Sequence, residues 1–410
     1  MPIDEIVELN LTALAYGGDA LGRLSDGRMV FVSFALPGEK VRARIVEEKR
    51  GFARADLVEV MDPSPQRIRP RCRHFASCGG CHYQNMPYAT QLSAKEDILR
   101  DQLLHIGKIE SPPVKPIVAS PAEWNYRNHV QFHLSAGEKL GYMGARGGVI
   151  PISECHLPEP AINLLWPQLE FEPDVPLERI SIRRGEEDDL LLVLESEQAM
   201  PPEVEIETDI SVVHLNGDNA VVMAGEDHVV MAVNDRRFKV SAGSFFQVNT
   251  AMAEKMVTRL LERLPLSPQA TLVDVYCGVG LFSAFLAPRA GRLIGIESSP
   301  SACEDFAINL DEFENVELYE APAEEVLPHL KLKPDVVLVD PPRAGLERRA
   351  LDGVVALNPQ TIAYVSCDPS TLARDAARLI AAGYRLVEVT PFDLFPQTYH
   401  IESISIFEKA

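Results

Sequence analysis

The residues with the clearest chemical potential lie late in the sequence. Cys367, in Tyr364-Val365-Ser366-Cys367-Asp368-Pro369-Ser370-Thr371, closes an apolar run and precedes a segment with helical spacing. The N-terminal dipole of a helix favours a thiolate, and a thiolate attacks electron-poor carbon. Burial statistics alone favour a packing role for any one cysteine, so position and partners decide. One partner is Glu402 in Tyr399-His400-Ile401-Glu402-Ser403, a carboxylate able to accept a proton, with His400 as the weaker rival. A second group of thiols, Cys72, Cys78, Cys81 and Cys155, has the pattern Cys-x5-Cys-x2-Cys with a distant fourth member. Four thiolates satisfy either tetrahedral zinc or an iron–sulfur cluster, and donor chemistry alone puts zinc ahead. Cys277 and Cys303 read as packing residues.

A ligand crevice is written between these groups. Val273-Asp274-Val275-Tyr276-Cys277-Gly278-Val279-Gly280 is strand then glycine turn, and Gly278 and Gly280 allow the backbone to approach a ligand closely. A second strand ends in Ile294-Gly295-Ile296-Glu297, which sets a carboxylate 17 residues beyond Gly280, where it can accept hydrogen bonds from a ribose diol. Ser283 stands where a dinucleotide fingerprint would have its third glycine. The segment instead resembles motif I of class I S-adenosylmethionine (SAM)-dependent methyltransferases, with Glu297 as their ribose-binding acid. Val337-Leu338-Val339-Asp340-Pro341-Pro342-Arg343-Ala344-Gly345-Leu346 puts an acid and two prolines at the end of another buried strand. Asp340-Pro341-Pro342 resembles motif IV of nucleobase and amino methyltransferases.

Four strings together resemble the RNA uridine C5-methyltransferase family over essentially the whole chain: Ser366 to Asp375, Asp340 to Leu346, Phe245-Phe246-Gln247-Val248-Asn249, and His400-Ile401-Glu402-Ser403. The resemblance implies Cys367 as nucleophile and Glu402 as the base, with Gln247, Tyr276, Gly278, Glu297 and Asp340 at the SAM site. It also implies a [4Fe-4S] cluster on Cys72, Cys78, Cys81 and Cys155, with zinc as the alternative. Ala15-Tyr16-Gly17-Gly18-Asp19-Ala20-Leu21-Gly22-Arg23 resembles a TRAM domain, an OB-like RNA-binding module. TRAM segment and cluster together favour 23S ribosomal RNA over transfer RNA as substrate. The chemistry is coherent, because C5 of uracil is too weak a nucleophile until a thiolate adds at C6. A base must then remove the C5 proton so that the thiolate can leave. One rival is an amino methyltransferase using Asp340-Pro341-Pro342 without a thiolate; another is a noncatalytic RNA-binding or folding factor on the same fold.

The elements that must hold these groups fall into three segments. Residues 1–62 read as about five short strands with glycine turns, a small closed barrel in which Arg42 and Arg44 share one face. Residues 63–240 read as an irregular α+β domain bearing the cysteines, with a helix over about 91–105 that packs on the catalytic domain. Residues 241–410 alternate all-apolar strands with helices, the pattern of a Rossmann-like, doubly wound α/β sheet.

Composition narrows the partners. The 410 residues carry 39 Lys and Arg against 60 Asp and Glu, a net charge of −21, which excludes a uniformly basic RNA-binding surface. The charge is uneven: Arg183 to Asp235 holds 14 acidic and 2 basic residues, whereas Lys40 to Arg73 holds ten basic and five acidic. RNA phosphates have a docking region there. No apolar run is long enough for a membrane span and Met1-Pro2-Ile3-Asp4-Glu5 is unlike a signal peptide, so a cytoplasmic protein with reduced thiols is expected.

Overall fold

Alternating small apolar and charged residues build the first unit. The computed structural model describes residues 4–135, 137–172, 175–205 and 209–410. Strands β1 (Ile6–Leu14), β2 (Ala20–Arg23), β3 (Met29–Ser33), β4 (Lys40–Glu48) and β5 (Phe52–Asp62) close in the order β1-β2-β3-β5-β4, with β4 pairing back onto β1. Val41, Ala43 and Ile45 point inward with Leu9, Leu11, Val30, Val32, Ala53 and Ala55; the several alanines suit a narrow interior. Arg42 and Arg44 face out, as the alternation predicts, and Arg42 is tied to Glu59 at 3.3 Å.

The middle of the chain is more regular than its sequence suggests. After helix α1 (Tyr88–His105) come β6 (His129–Leu134), β7 (Leu140–Met143), β8 (Val149–Pro151), helix α2 (Pro160–Leu165), β9 (Arg179–Arg184), β10 (Leu190–Glu195), β11 (Ser211–Asn216) and β12 (Asn219–Ala224). The strands form one seven-stranded sheet in the order β12-β11-β10-β9-β6-β7-β8. Val130, Phe132, Ile180, Ile182, Leu192 and Leu194 on one face pack against Ile162, Leu165 and Trp166, while Leu191, Val193 and Val213 on the other face enter the core of the catalytic unit. That continuity runs through the hairpin of β13 (His228–Val233) and β14 (Arg236–Ser241), whose Val229, Met231, Phe238 and Val240 belong to the same core.

The third unit comprises α3 (Thr250–Arg263), β15 (Thr271–Val275), α4 (Leu281–Leu286), β16 (Arg292–Glu297), α5 (Pro300–Asn309), β17 (Val316–Glu320), α6 (Ala323–Val326), β18 (Val336–Val339), α7 (Arg348–Leu357), β19 (Thr361–Ser366), α8 (Pro369–Ala381), β20 (Tyr384–Phe392) and β21 (Glu402–Lys409). The sheet order is β17-β16-β15-β18-β19-β21-β20; the pairs from β17 to β19 are parallel, and β21 lies antiparallel between β19 and β20. Both faces are covered, which is why the central strands are largely apolar: Leu272, Leu293 and Leu338 belong to one core, Val273, Val275, Val337 and Val339 to the other. The strand order reverses between β15 and β18, so a crevice opens at their carboxyl ends.

Helix α1 belongs spatially to this unit. Its Ile98, Leu99 and Leu103 join the second core, and the fully buried Lys95 donates to Asp393 (2.6 Å) and to the carbonyl of Phe395 (3.0 Å). Burial alone would expel the ammonium's charge, and the carboxylate opposes that. The segment after α1 adds isolated bridges from Val114 and Val118 to β20. Among the described residues no helix is long and apolar enough to cross a membrane.

Candidate active site

The crevice is shaped by backbone conformations that few side chains tolerate. Tyr276, Gly278 and Gly280 follow β15 at φ of 65°, 53° and 88°. A Cβ on Gly280 would sit 2.3 Å from Leu310 Cδ1, so glycine there lets α5 approach, whereas a Cβ on Gly278 would meet nothing within 4 Å and point into free space. Glu297 ends β16 and is already oriented: the amide of Gly278 donates to one carboxylate oxygen (3.0 Å), those of Ser298 and Ser299 to the other (2.7 and 2.9 Å). Asp274, inside β15, accepts from Ser283 Oγ at 2.6 Å, and its other oxygen has no hydrogen-bond partner among the described residues. Burial pushes its carboxyl up to about 7, despite that hydrogen bond. Asp340, just past β18, is pushed up to about 7 by burial and then by Glu297. Gln247 is buried on the segment leading into α3, and its carbonyl accepts from Asn128 Nδ2 at 2.9 Å. An open glycine turn facing a fixed carboxylate, with further acids behind, suits the ribose and sulfonium of SAM.

Strand register joins the candidate nucleophile and the candidate base. Ser366 of β19 pairs with Ser403 of β21, so Cys367 and Glu402 come from adjoining ends of two neighbouring strands. Asp368 caps α8 by accepting from the amides of Ser370 (2.9 Å) and Thr371 (3.0 Å), and Ser366 Oγ bonds to both the carbonyl (2.9 Å) and the amide (3.2 Å) of Asp368. The backbone on either side of Cys367 is thereby fixed.

The helix terminus does not win electrostatically. Burial, then Glu402 and Asp340, push the Cys367 thiol up to about 12, with Arg343 pulling the other way. Glu402 is itself held well above the usual carboxylate range by burial and Asp340, again opposed by Arg343. His400 fares differently: burial, then Arg343 and Arg127, push its imidazole down to about 3. A group that weakly basic is a poor competitor for the proton, which favours Glu402. Arg343 acts on all three groups, and its place two residues after Pro341, in the segment that begins Asp340-Pro341-Pro342, is the signal in the sequence that marks it.

The four cluster cysteines converge on the same region. A cavity of about 420 Å³ is lined by Cys72, Cys78, Cys81 and Cys155 and also by Gln247, Arg343 and His400. None of the four is in a disulfide. Amide groups already approach the sulfurs, His74 N to Cys72 and Gly80 N to Cys78 at 3.4 Å each, and Cys72 N donates to Gln84 Oε1 at 3.0 Å. Among the described residues no three His, Cys, Asp or Glu side chains are set to grip a single metal ion. Arg69, Arg71 and Arg73 line an open cleft beside Cys72, and Arg71 lies over the Trp124 ring at 5.2 Å.

The strand order and the crevice define a class I SAM-dependent methyltransferase. The chain belongs to the tRNA (uracil-5-)-methyltransferase family, whose model matches residues 204–410, and a TRAM domain matches residues 4–58. It is 34% identical over 439 residues to a protein of Thermosynechococcus vestitus described as an uncharacterized RNA methyltransferase, covering 98% of this chain and 97% of that one. A protein of Aquifex aeolicus with the same description is 34% identical over 431 residues, covering 99% of each. The crystal structure of the Pyrococcus abyssi tRNA (uracil-54, C5)-methyltransferase with S-adenosyl-L-homocysteine shares the fold, with a TM-score of 0.74 at 23% identity, covering 97% of this chain and 100% of that one. The expected barrel and the Rossmann-like catalytic sheet are both present, and the chain is a SAM-dependent RNA uracil-5-methyltransferase.

Proposed function

We propose that the protein methylates C5 of a uridine in ribosomal RNA through covalent attack by Cys367. The observation that carries this reading is the placement of Cys367 and Glu402 on adjoining strands, with Asp340 and Arg343 acting on both. Cys367 adds to C6 of the uracil, which makes C5 enolate-like. SAM supplies the electrophilic methyl group that C5 then takes. Gln247, Tyr276, Gly278, Glu297 and Asp340 hold the donor at the crevice. Glu402 accepts the C5 proton, the C5–C6 double bond re-forms and the thiolate is expelled. Arg343 favours the ionised forms of both Cys367 and Glu402, opposing the burial that would keep them neutral. Because the target carbon lies within a base, that base leaves its stack to reach Cys367.

The barrel and cysteine-bearing segment supply surface for a large folded RNA, with Arg44 on the barrel and Arg69, Arg71 and Arg73 beside the cluster as phosphate contacts. Transfer RNA is the second reading, favoured by the substrate named for the Pyrococcus abyssi enzyme. Mass spectrometry of nuclease fragments decides between them: a strain lacking the gene is expected to lose 5-methyluridine from 23S ribosomal RNA and keep it in transfer RNA. Loss from transfer RNA alone reverses the assignment.

The cysteines Cys72, Cys78, Cys81 and Cys155 are proposed as ligands of a [4Fe-4S] cluster that organises this region and positions RNA. The four thiols line one cavity, and their spacing with the neighbouring Gly79-Gly80 and Tyr83-Gln84 resembles the family's cluster site, which favours a [4Fe-4S] cluster over a single zinc ion. Amide hydrogen bonds to the Cys72 and Cys78 sulfurs are of the kind that tune such clusters. Replacing Cys78 by serine is expected to bleach the broad visible absorbance and weaken RNA binding; stoichiometric zinc without acid-labile sulfide in anaerobically purified protein would overturn the assignment.

A further inference from the structure

The turn between β1 and β2 of the barrel ends on the nucleophile's own loop. Gly17 and Gly18, at φ of 107° and 92°, curl this turn so tightly that a Cβ on Gly18 would meet His82 at 3.1 Å. Tyr16, just before them, is half-buried, packs on the catalytic core and meets the Tyr399 ring edge-on at 5.6 Å between centroids. Its hydroxyl donates to Asp368 Oδ2 at 3.0 Å. Asp368 adjoins Cys367 and uses its other oxygen to cap α8. One carboxylate therefore receives the barrel on one side and the catalytic helix on the other. This bond spans 352 positions of sequence.

We propose that Tyr16 is a positioning residue for the methyl-transfer reaction, by which the RNA-binding barrel holds the Asp368 loop and so aims Cys367 at its target carbon. The proposal rests on Cys367 being the nucleophile. Two consequences separate it from a barrel that merely tethers RNA. Losing the Tyr16 hydroxyl affects the chemical step more than RNA capture, because the ring and the outer barrel surface stay as they are. It also changes the field at Cys367, which is faced by Glu402, Asp340 and Arg343 as well as by Asp368. Without its hydrogen bond, the Asp368 carboxylate turns more uncompensated negative charge toward the thiol and disfavours the thiolate.

The test is Tyr16→Phe in the full-length protein, with Tyr16→Met as the second variant should phenylalanine fail to fold. Loss of one hydrogen bond to a charged acceptor is expected to lower kcat about tenfold while leaving KM for RNA within about twofold. Alkylation of Cys367 by iodoacetamide, followed by peptide mass spectrometry from pH 7 to 9, should slow by about threefold at each pH. By contrast, Arg44→Ala on the exposed barrel face should raise KM for RNA and leave alkylation unchanged. A folded Tyr16 variant with parental kcat and alkylation, or with a change in KM alone, overturns the proposal. Cys367→Ala run alongside separates the two readings: if it still turns over, the nucleophile assignment fails; if it is dead while Tyr16→Phe matches the parent, only the role of Tyr16 fails.

Discussion

Cys367→Ala is expected to reduce turnover by at least about 10⁴-fold, because without the thiolate C5 of the uracil never becomes nucleophilic. The fold should survive, since Cys367 is not fully buried and the loop is held by Ser366 and Asp368 rather than by the thiol. The sharper readout is covalent. With RNA carrying 5-fluorouridine at the target, the parent enzyme should add through Cys367, transfer the methyl group and then stall, since C5 carries fluorine where the departing proton should be. A protein–RNA adduct should then persist in denaturing gels. The alanine variant should form none. Retention of turnover would eliminate this mechanism.

Glu402→Gln should fail at the other end of the same cycle. The amide has the carboxylate's shape and cannot take a proton, so addition and methyl transfer proceed while release stops. Steady-state turnover should fall about 10²- to 10⁴-fold, and ordinary uridine RNA should now yield the long-lived adduct that otherwise needs fluorine. Methyl incorporation should plateau near one per active site. The pH profile gives a second check. Burial and Asp340 hold the Glu402 carboxyl high and burial holds the Cys367 thiol high, so the parent's rate should rise with pH as both ionise; the glutamine variant should lose the carboxylate's part of that rise and keep the thiol's. A glutamine variant that turns over freely without adduct would transfer the proton to another group.

Much of the catalytic unit was legible because chemistry there is local. Glu297 and Asp340 directly follow apolar runs and Cys367 follows one after Ser366, and such runs end at one edge of a parallel sheet. Glu402 was readable as a candidate, yet only the antiparallel register of β21 on β19 puts it beside Cys367. The middle of the chain was less legible. Its sheet joins β6 to β9 and sets β10 parallel to β11, pairings between distant segments that leave no mark on periodicity within either one. Arg343 escaped notice as a site residue because nothing in its type distinguishes it; what does so is its electrostatic effect on Cys367, Glu402 and His400. The expectation that the helix terminus would ionise Cys367 fails because burial among acids outweighs the dipole.

The placement of β21 has a consequence for biosynthesis. This strand is made after both strands it separates, so a growing chain carries β19 and β20 with facing edges unpaired until β21 slots between them. The same insertion delivers Glu402. A chain interrupted before that point carries the Cys367 thiol but neither the Glu402 carboxylate nor a paired β19 and β20, which leaves it adhesive. Completion of the sheet and arrival of the proposed base are thus one late event, and truncations within β21 should be lost to aggregation before any catalytic defect can be measured.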